Sequence, residues 1–270
     1  MTWFAFGRRL MPFAATAVMA LALAAPAAHA GPVPSGWTCA GACGTDGADG
    51  VVTLSPIGSR AYEYITTNGG TNGVGALAGA GGTGSPTNGS TLSTPVFAAN
   101  AGAALNFDFN YVTSDGAGYA DYGWAELLTS TGAPVAILFT ARTVASGSVV
   151  PGLSMPTPTA TLSPSSVSII GGAPTWTPLG TDSGSCYATG CGYTGWIGSS
   201  YSIAAAGNYF LEFGVTNWND TLYNSGMAID GVTVAGQELP GQAGVPEPTT
   251  LMLLASGIAG IWFVRRPRAI

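Results

Sequence analysis

Between residues 105 and 111 apolar and polar side chains alternate strictly: Leu105, Phe107, Phe109 and Tyr111 fall on one side of an extended chain, and Asn106, Asp108 and Asn110 on the other. Successive side chains of a strand point to opposite faces, so this segment predicts a strand covering a core on one face only. Residues 208–215 repeat the design, with Tyr209, Leu211, Phe213 and Val215 inward and Glu212 outward. Weaker versions predict strands over 50–54, 62–66, 121–128, 135–140, 167–170, 195–203 and 227–234. No segment of this region sustains helical periodicity. About eight to ten short strands, separated by Gly, Pro, Ser and Asn clusters, predict an all-β, antiparallel two-sheet β-sandwich. Residues 68–90, with nine glycines, predict a mobile loop or loose hairpin, and residues 143–166, rich in Ser, Thr and Pro, an extended connection. The pattern resumes unchanged on either side of both, so a single domain is expected.

The two ends follow a different logic. Arg8 and Arg9 precede an uncharged apolar run over 10–25, and Ala28-His29-Ala30 puts small residues at cleavage positions, the arrangement of a secretory signal peptide over residues 1–30. Near the other end Val245, Pro246, Glu247 and Pro248 precede an uncharged, mostly apolar stretch over 249–264 and then Arg265, Arg266 and Arg268. Sixteen residues at a rise of about 1.5 Å reach roughly 24 Å, marginal for a bilayer core, with the arginines as a membrane stop on the cytoplasmic side. Motif, apolar span and arginines in this order resemble the PEP-CTERM sorting signal of Gram-negative bacteria that make exopolysaccharide. The resemblance implies recognition by an exosortase at the Pro-Glu-Pro motif, removal of the transmembrane sorting helix over 245–270, and release or attachment at the cell surface. The ectodomain is then residues 31–244, exported through the secretion translocon and trimmed by signal peptidase.

Composition narrows the chemistry. Only 7% of the 270 residues are charged, against roughly 25% in an ordinary soluble domain. Lysine is absent and the single histidine, His29, lies in the leader. Ser-His-Asp and Cys-His machineries, His-ligated metals and Schiff-base chemistry are therefore excluded from the mature chain. Residues 31–245 carry twelve acidic and two basic side chains, a net charge of about −10 at neutral pH. Nucleic acid is excluded as a partner, because nothing supplies the cations that phosphates require.

At residues 107–128 the run FDFNYVTSDGAGYADYGWAELL resembles a segment of secreted bacterial jelly-roll domains, and residues 223–232 are similar to the last strand of such domains. With the Cys-Tyr-x-x-Gly-Cys-Gly-Tyr-Thr-Gly-Trp run from Cys186 to Trp196, the chain resembles PEP-CTERM exported proteins with a jelly-roll-like ectodomain. That resemblance implies a fold and a destination and transfers no catalytic residue.

Three sets of side chains remain as candidates. Cys39, Cys43, Cys186 and Cys191, an even number in an exported chain, read as disulfides; two local bridges are favoured, with a cross-link from the N-terminal segment to the Cys186 loop as the alternative. Asp115, Asp121 and Asp230 offer hard oxygen ligands beside glycine turns and are candidate ligands for calcium, the one cofactor entertained. Trp124, Trp196 and Trp218, with Tyr119, Tyr122, Tyr187 and Tyr193, exceed what the strand faces need and are candidate glycan contacts. The expected function is that of a non-enzymatic surface or extracellular-matrix protein associated with exopolysaccharide and biofilm. The alternative is a secreted glycoside hydrolase that draws a carboxylate pair from Asp108, Asp115, Asp121, Glu126, Glu212 and Asp230.

Overall fold

The computed structural model describes residues 31–242. The leader, Val245–Pro248 and Arg265, Arg266 and Arg268 lie outside the described residues. Eight principal strands carry the fold: β1 (Tyr62–Thr66), β2 (Pro86–Ser93), β3 (Ala104–Thr113), β4 (Tyr122–Thr129), β5 (Pro134–Arg142), β6 (Ile197–Ser202), β7 (Gly207–Trp218) and β8 (Ser225–Val234). One sheet has the order β6-β3-β8-β1 and the other β2-β7-β4-β5, with every pair antiparallel. The first strand thus pairs with the last, the second with the seventh, the third with the sixth and the fourth with the fifth. A long hairpin rolled upon itself produces this order, which is the jelly roll.

Short strands extend the edges: Thr38–Ala40 beyond β2, Ala42–Asp46 beyond β1 and Thr161–Ser163 beyond β6. Between the first two the chain passes from one sheet to the other at Gly41, whose φ of +93° suits glycine and whose Cβ would lie 2.3 Å from Ser90 Oγ. The Cys39–Cys43 disulfide spans this corner, with Cα atoms 6.1 Å apart, and Cys186–Cys191 closes the second local bridge at 5.6 Å.

The strict alternation of β3 is what builds the central core. Phe107 meets Phe213 of β7 edge-on at 5.3 Å, and Phe109 stacks on Phe139 of β5 at 3.7 Å. A register shift between Ala125 and Glu126 lets both Leu138 and Phe139 turn inward.

Two expectations are corrected here. Residues 50–54 form no strand; only an isolated bridge joins Asp49 and Val52. Residues 86–90 of the glycine-rich stretch belong to β2, and the rest is pinned rather than loose. Trp124 Nε1 donates to Gly75 O (2.8 Å), Trp218 Nε1 to Thr83 O (2.9 Å), and Leu77 N–H to Tyr122 Oη (3.2 Å). Gly75 makes the flat approach possible, since a Cβ there would lie 2.1 Å from Val215 O. The loop thereby roofs a second apolar cluster of Leu77, Tyr122, Trp124 and Trp218 on the outer face of β4 and β7. A third cluster, with Val52, Tyr62, Trp176 and Leu179, covers the outer face of the other sheet.

Candidate functional site

At the end of the sandwich where β3 and β7 finish and β4 and β8 begin, the connections gather acidic and aromatic side chains. Asp121, immediately before β4, is fully buried; its Oδ1 accepts the Trp218 N–H (2.8 Å) and its Oδ2 the Ser225 hydroxyl (2.7 Å). One carboxyl therefore joins both sheets. Burial raises its pKa well above the usual carboxylate range, and the neighbouring Asp115 adds to the shift.

Asp115 is 1% exposed. Its Oδ1 accepts the Gly116 N–H at 2.7 Å, while Oδ2 has no hydrogen-bond partner among the described residues. Burial pushes this carboxyl up to about 7, against the lowering effect of the Gly116 bond; Asp220 and Asp182 push the same way as burial. A carboxyl so raised within an acidic cluster makes this end of the sandwich a candidate site.

The loop that carries Cys186–Cys191 docks onto this turn. Tyr187 N–H donates to Ser114 O (2.9 Å) and Ala117 N–H to Thr189 O (2.9 Å). Gly116 allows the contact, because a Cβ there would lie 2.6 Å from that of Ala188. Docking places Tyr187, 49% exposed, between Tyr119 at 5.5 Å and Tyr223 at 4.8 Å. Replacing both Cys186 and Cys191 by Ser removes a short-loop constraint of about 2 kcal/mol and is expected to release this tyrosine cluster. Accelerated amide exchange at Ala117 and Tyr187, with β3 protected as before, is the expected result; unchanged exchange there would contradict it.

On the other side of the turn lies a cleft of about 530 Å³ lined by Gly82, Ala117, Ala120, Arg142, Leu153 and Trp218. Arg142 forms its floor: Nε donates to Ala120 O (2.9 Å), Nη1 to Gly81 O, and the guanidinium lies 4.3 Å from the Trp218 ring.

The structure sorts the remaining candidates. Trp124 and Trp218 are 4% and 3% exposed beneath the glycine loop, so as glycan contacts they are corrected: their ring faces are already packed. Trp196 is half-buried, edge-on to Tyr62 at 5.8 Å, with Nε1 on Thr53 O (2.9 Å). Asp230 does not join Asp115 and Asp121. It lies five residues along β8 from Ser225, about 17 Å away at strand rise, and is bound by Ser55 and Ser59. Among the described residues no three carboxylate or sulfur side chains converge on a point that suits a metal ion.

The other acids form two cross-strand pairs on outward faces. Asp108 stands opposite Asp230 and Glu126 opposite Glu212, with every one of these carboxyls raised by burial. Tyr119 and Tyr187 stood among the aromatic candidates, but Tyr223 and the convergence of the three escaped the sequence pattern, because they come from three separate connections.

Comparison with known proteins bears mainly on the C-terminal end. No curated protein sequence matches the chain. Among solved structures, the K1 cleaved adhesin domain of Lys-gingipain from Porphyromonas gingivalis W83 is similar at 14% identity and a TM-score of 0.35, covering 76% of this chain and 94% of that one. That likeness is too distant to bear on function. Residues 244–269 match the PEP-CTERM protein-sorting motif. The chain thus carries, directly behind the sandwich, a PEP-CTERM sorting motif, which indicates an exported protein sorted by an exosortase.

Proposed function

We propose that the chain is a non-enzymatic surface or extracellular-matrix protein of a Gram-negative bacterium, and that its acidic, tyrosine-lined end binds a neutral glycan of the exopolysaccharide. In this reading the translocon exports it, signal peptidase removes residues 1–30, and exosortase processing leaves the sandwich at the cell surface or in the matrix. The observation that carries the reading is the Tyr119–Tyr187–Tyr223 cluster, with Tyr187 exposed between two half-buried tyrosines at the acidic end of the sandwich. Flat aromatic faces suit the C–H surface of sugar rings, and carboxyl oxygens accept hydroxyl hydrogen bonds. The net negative charge favours a neutral polymer over an acidic one. Calcium has less support, since Asp230 lies far from the other two candidate ligands.

Co-sedimentation of residues 31–244 with exopolysaccharide from the producing organism tests the proposal. Wild-type protein is expected in the pellet, and Tyr187→Ala, which removes an exposed ring, should weaken retention by about tenfold, within the range measured for aromatic contacts. Protein left in the supernatant, or a Tyr187→Ala variant that binds as wild type, would sink it.

The hydrolase reading draws its support from the Glu126–Glu212 pair, whose directly opposed side chains stand on adjacent strands. Like charges so placed repel, so Glu126→Gln is expected to stabilise the fold by roughly 0.2–1 kcal/mol and to leave polymer chain length unaffected. Polymer shortening by wild type that disappears in Glu126→Gln would favour the hydrolase.

A further inference from the structure

The two ends of the sandwich differ in charge. One carries Asp115, Asp121, Asp182, Asp220 and Arg142. The connections at the other end, residues 33–36, 95–103, 130–133, 203–206 and 235–236, contain no charged side chain and are mostly Ala, Gly, Pro, Ser and Val. Val96 there is 57% exposed, and a cleft of about 520 Å³ is lined by Phe97, Ala101, Ala103, Val234 and Leu239 together with Glu238, the one charged side chain at this end against four aspartates and an arginine at the other. β8 runs ten residues between the two ends, about 30 Å.

The chain leaves the fold beside the weakly charged end. After β8 it turns at Ala235 and Gly236, and Gln237–Glu238 pairs back on Thr233 and Val234. Leu239 is buried in the central core, and Pro240 O accepts the Trp37 Nε1–H at 2.9 Å. Gln242 closes the latch: Oε1 accepts the Val232 N–H (2.7 Å), and Nε2 donates to Val232 O (2.6 Å) and Leu239 O (3.0 Å). The chain is thus held to within two residues of the sorting motif, which begins at 244. From Gln242 to the apolar stretch at Thr249 is seven residues, a reach of at most about 25 Å.

We infer that the weakly charged end of the sandwich is the membrane-facing surface of the precursor, resting on the bilayer until the sorting segment is removed, with the acidic tyrosine end directed away. The inference rests on the reading of residues 249–264 as a membrane segment. A tether this short leaves the domain little freedom to tumble. Of its two ends, the one with Glu238 alone meets anionic headgroups with less repulsion than the one with four aspartates and one arginine. The arrangement keeps the proposed glycan site some 30 Å from the membrane, the length of β8.

The test uses the chain from residue 31 to 270 in phosphatidylcholine–phosphatidylglycerol vesicles with a quencher on the headgroups. The cysteines at 39, 43, 186 and 191 are paired, so one added thiol takes the fluorophore. Ala101→Cys, Thr131→Cys and Ala205→Cys place it at exposed positions of the weakly charged end, and Leu222→Cys at the acidic one. At least threefold stronger quenching at 101, 131 and 205 than at 222 is expected. Protein that floats with the vesicles yet is quenched equally at all four positions, or more at 222, overturns the orientation alone, including the case where an exosortase is needed to impose it. Protein that does not float overturns the membrane tether itself and the orientation with it.

Discussion

Asp115→Asn is expected to make the protein more stable at pH 8 and to leave its stability at pH 4 nearly unchanged. The folded-state pKa of Asp115 is raised by burial from the ordinary 3.8 to about 7. A group raised in this way has its full stabilising contribution below the unfolded value, and loses it as pH climbs through the folded one. The window is therefore pH 4 to 7, with stability falling as pH rises. A shift of about three units corresponds to roughly 4 kcal/mol; with screening by solvent at the end of the sandwich, about 2–3 kcal/mol is expected. The amide keeps the Gly116 bond and removes the charge. It also relieves Asp121, whose raised pKa owes part of its shift to Asp115. Urea midpoints at pH 4, 6 and 8 for both proteins check the prediction; a wild type equally stable at pH 5 and 8 would refute it.

Arg142→Ala is expected to destabilise by about 3–5 kcal/mol, the cost of emptying a buried site whose partners then stay unpaired. Arg142 is 3% exposed and reaches three separate carbonyls, Ala120 O, Gly81 O and Leu153 O, while its guanidinium covers Trp218 and Tyr122. These bonds clip the glycine loop, the turn before β4 and residues 151–156 together. The variant should lose the loop before the sandwich: rapid proteolysis within residues 73–85 and a red-shifted tryptophan emission from Trp124 and Trp218 are expected while strand circular dichroism persists. A variant that resists proteolysis in the loop would show that the three indole and phenol bonds suffice alone. Lysine in its place cannot make the forked contacts, so Arg142→Lys should recover only part of the loss.

Much of the architecture follows from period-two alternation. The facing apolar sets of β3 and β7 can be read residue by residue, because a strand with one buried face has only one workable register. The sorting motif is equally local, since it is defined by a contiguous run of residues. Local too was the pairing of the cysteines, four and five residues apart.

What the alternation could not reveal is which outer faces are roofed. Trp124 and Trp218 sit on the outward side of their strands, where a sequence pattern assigns solvent; the roof is a loop of glycines with almost no side chains to announce a core. Nor could β2 be found from its residues, PTNGSTLS, which pack chiefly through backbone approach to β7. The candidate site has the same character. Asp115 and Asp121 are close in sequence, but their burial and the tyrosines around them depend on three connections meeting at one end of a jelly roll. Composition and spacing by themselves determined the fold class, the sorting motif and the lack of histidine and lysine in residues 31–242. Only the rolled topology decided which aromatics are buried, which acids are isolated and at which end of the sandwich the chain leaves the fold, because each depends on contacts between residues distant in the chain.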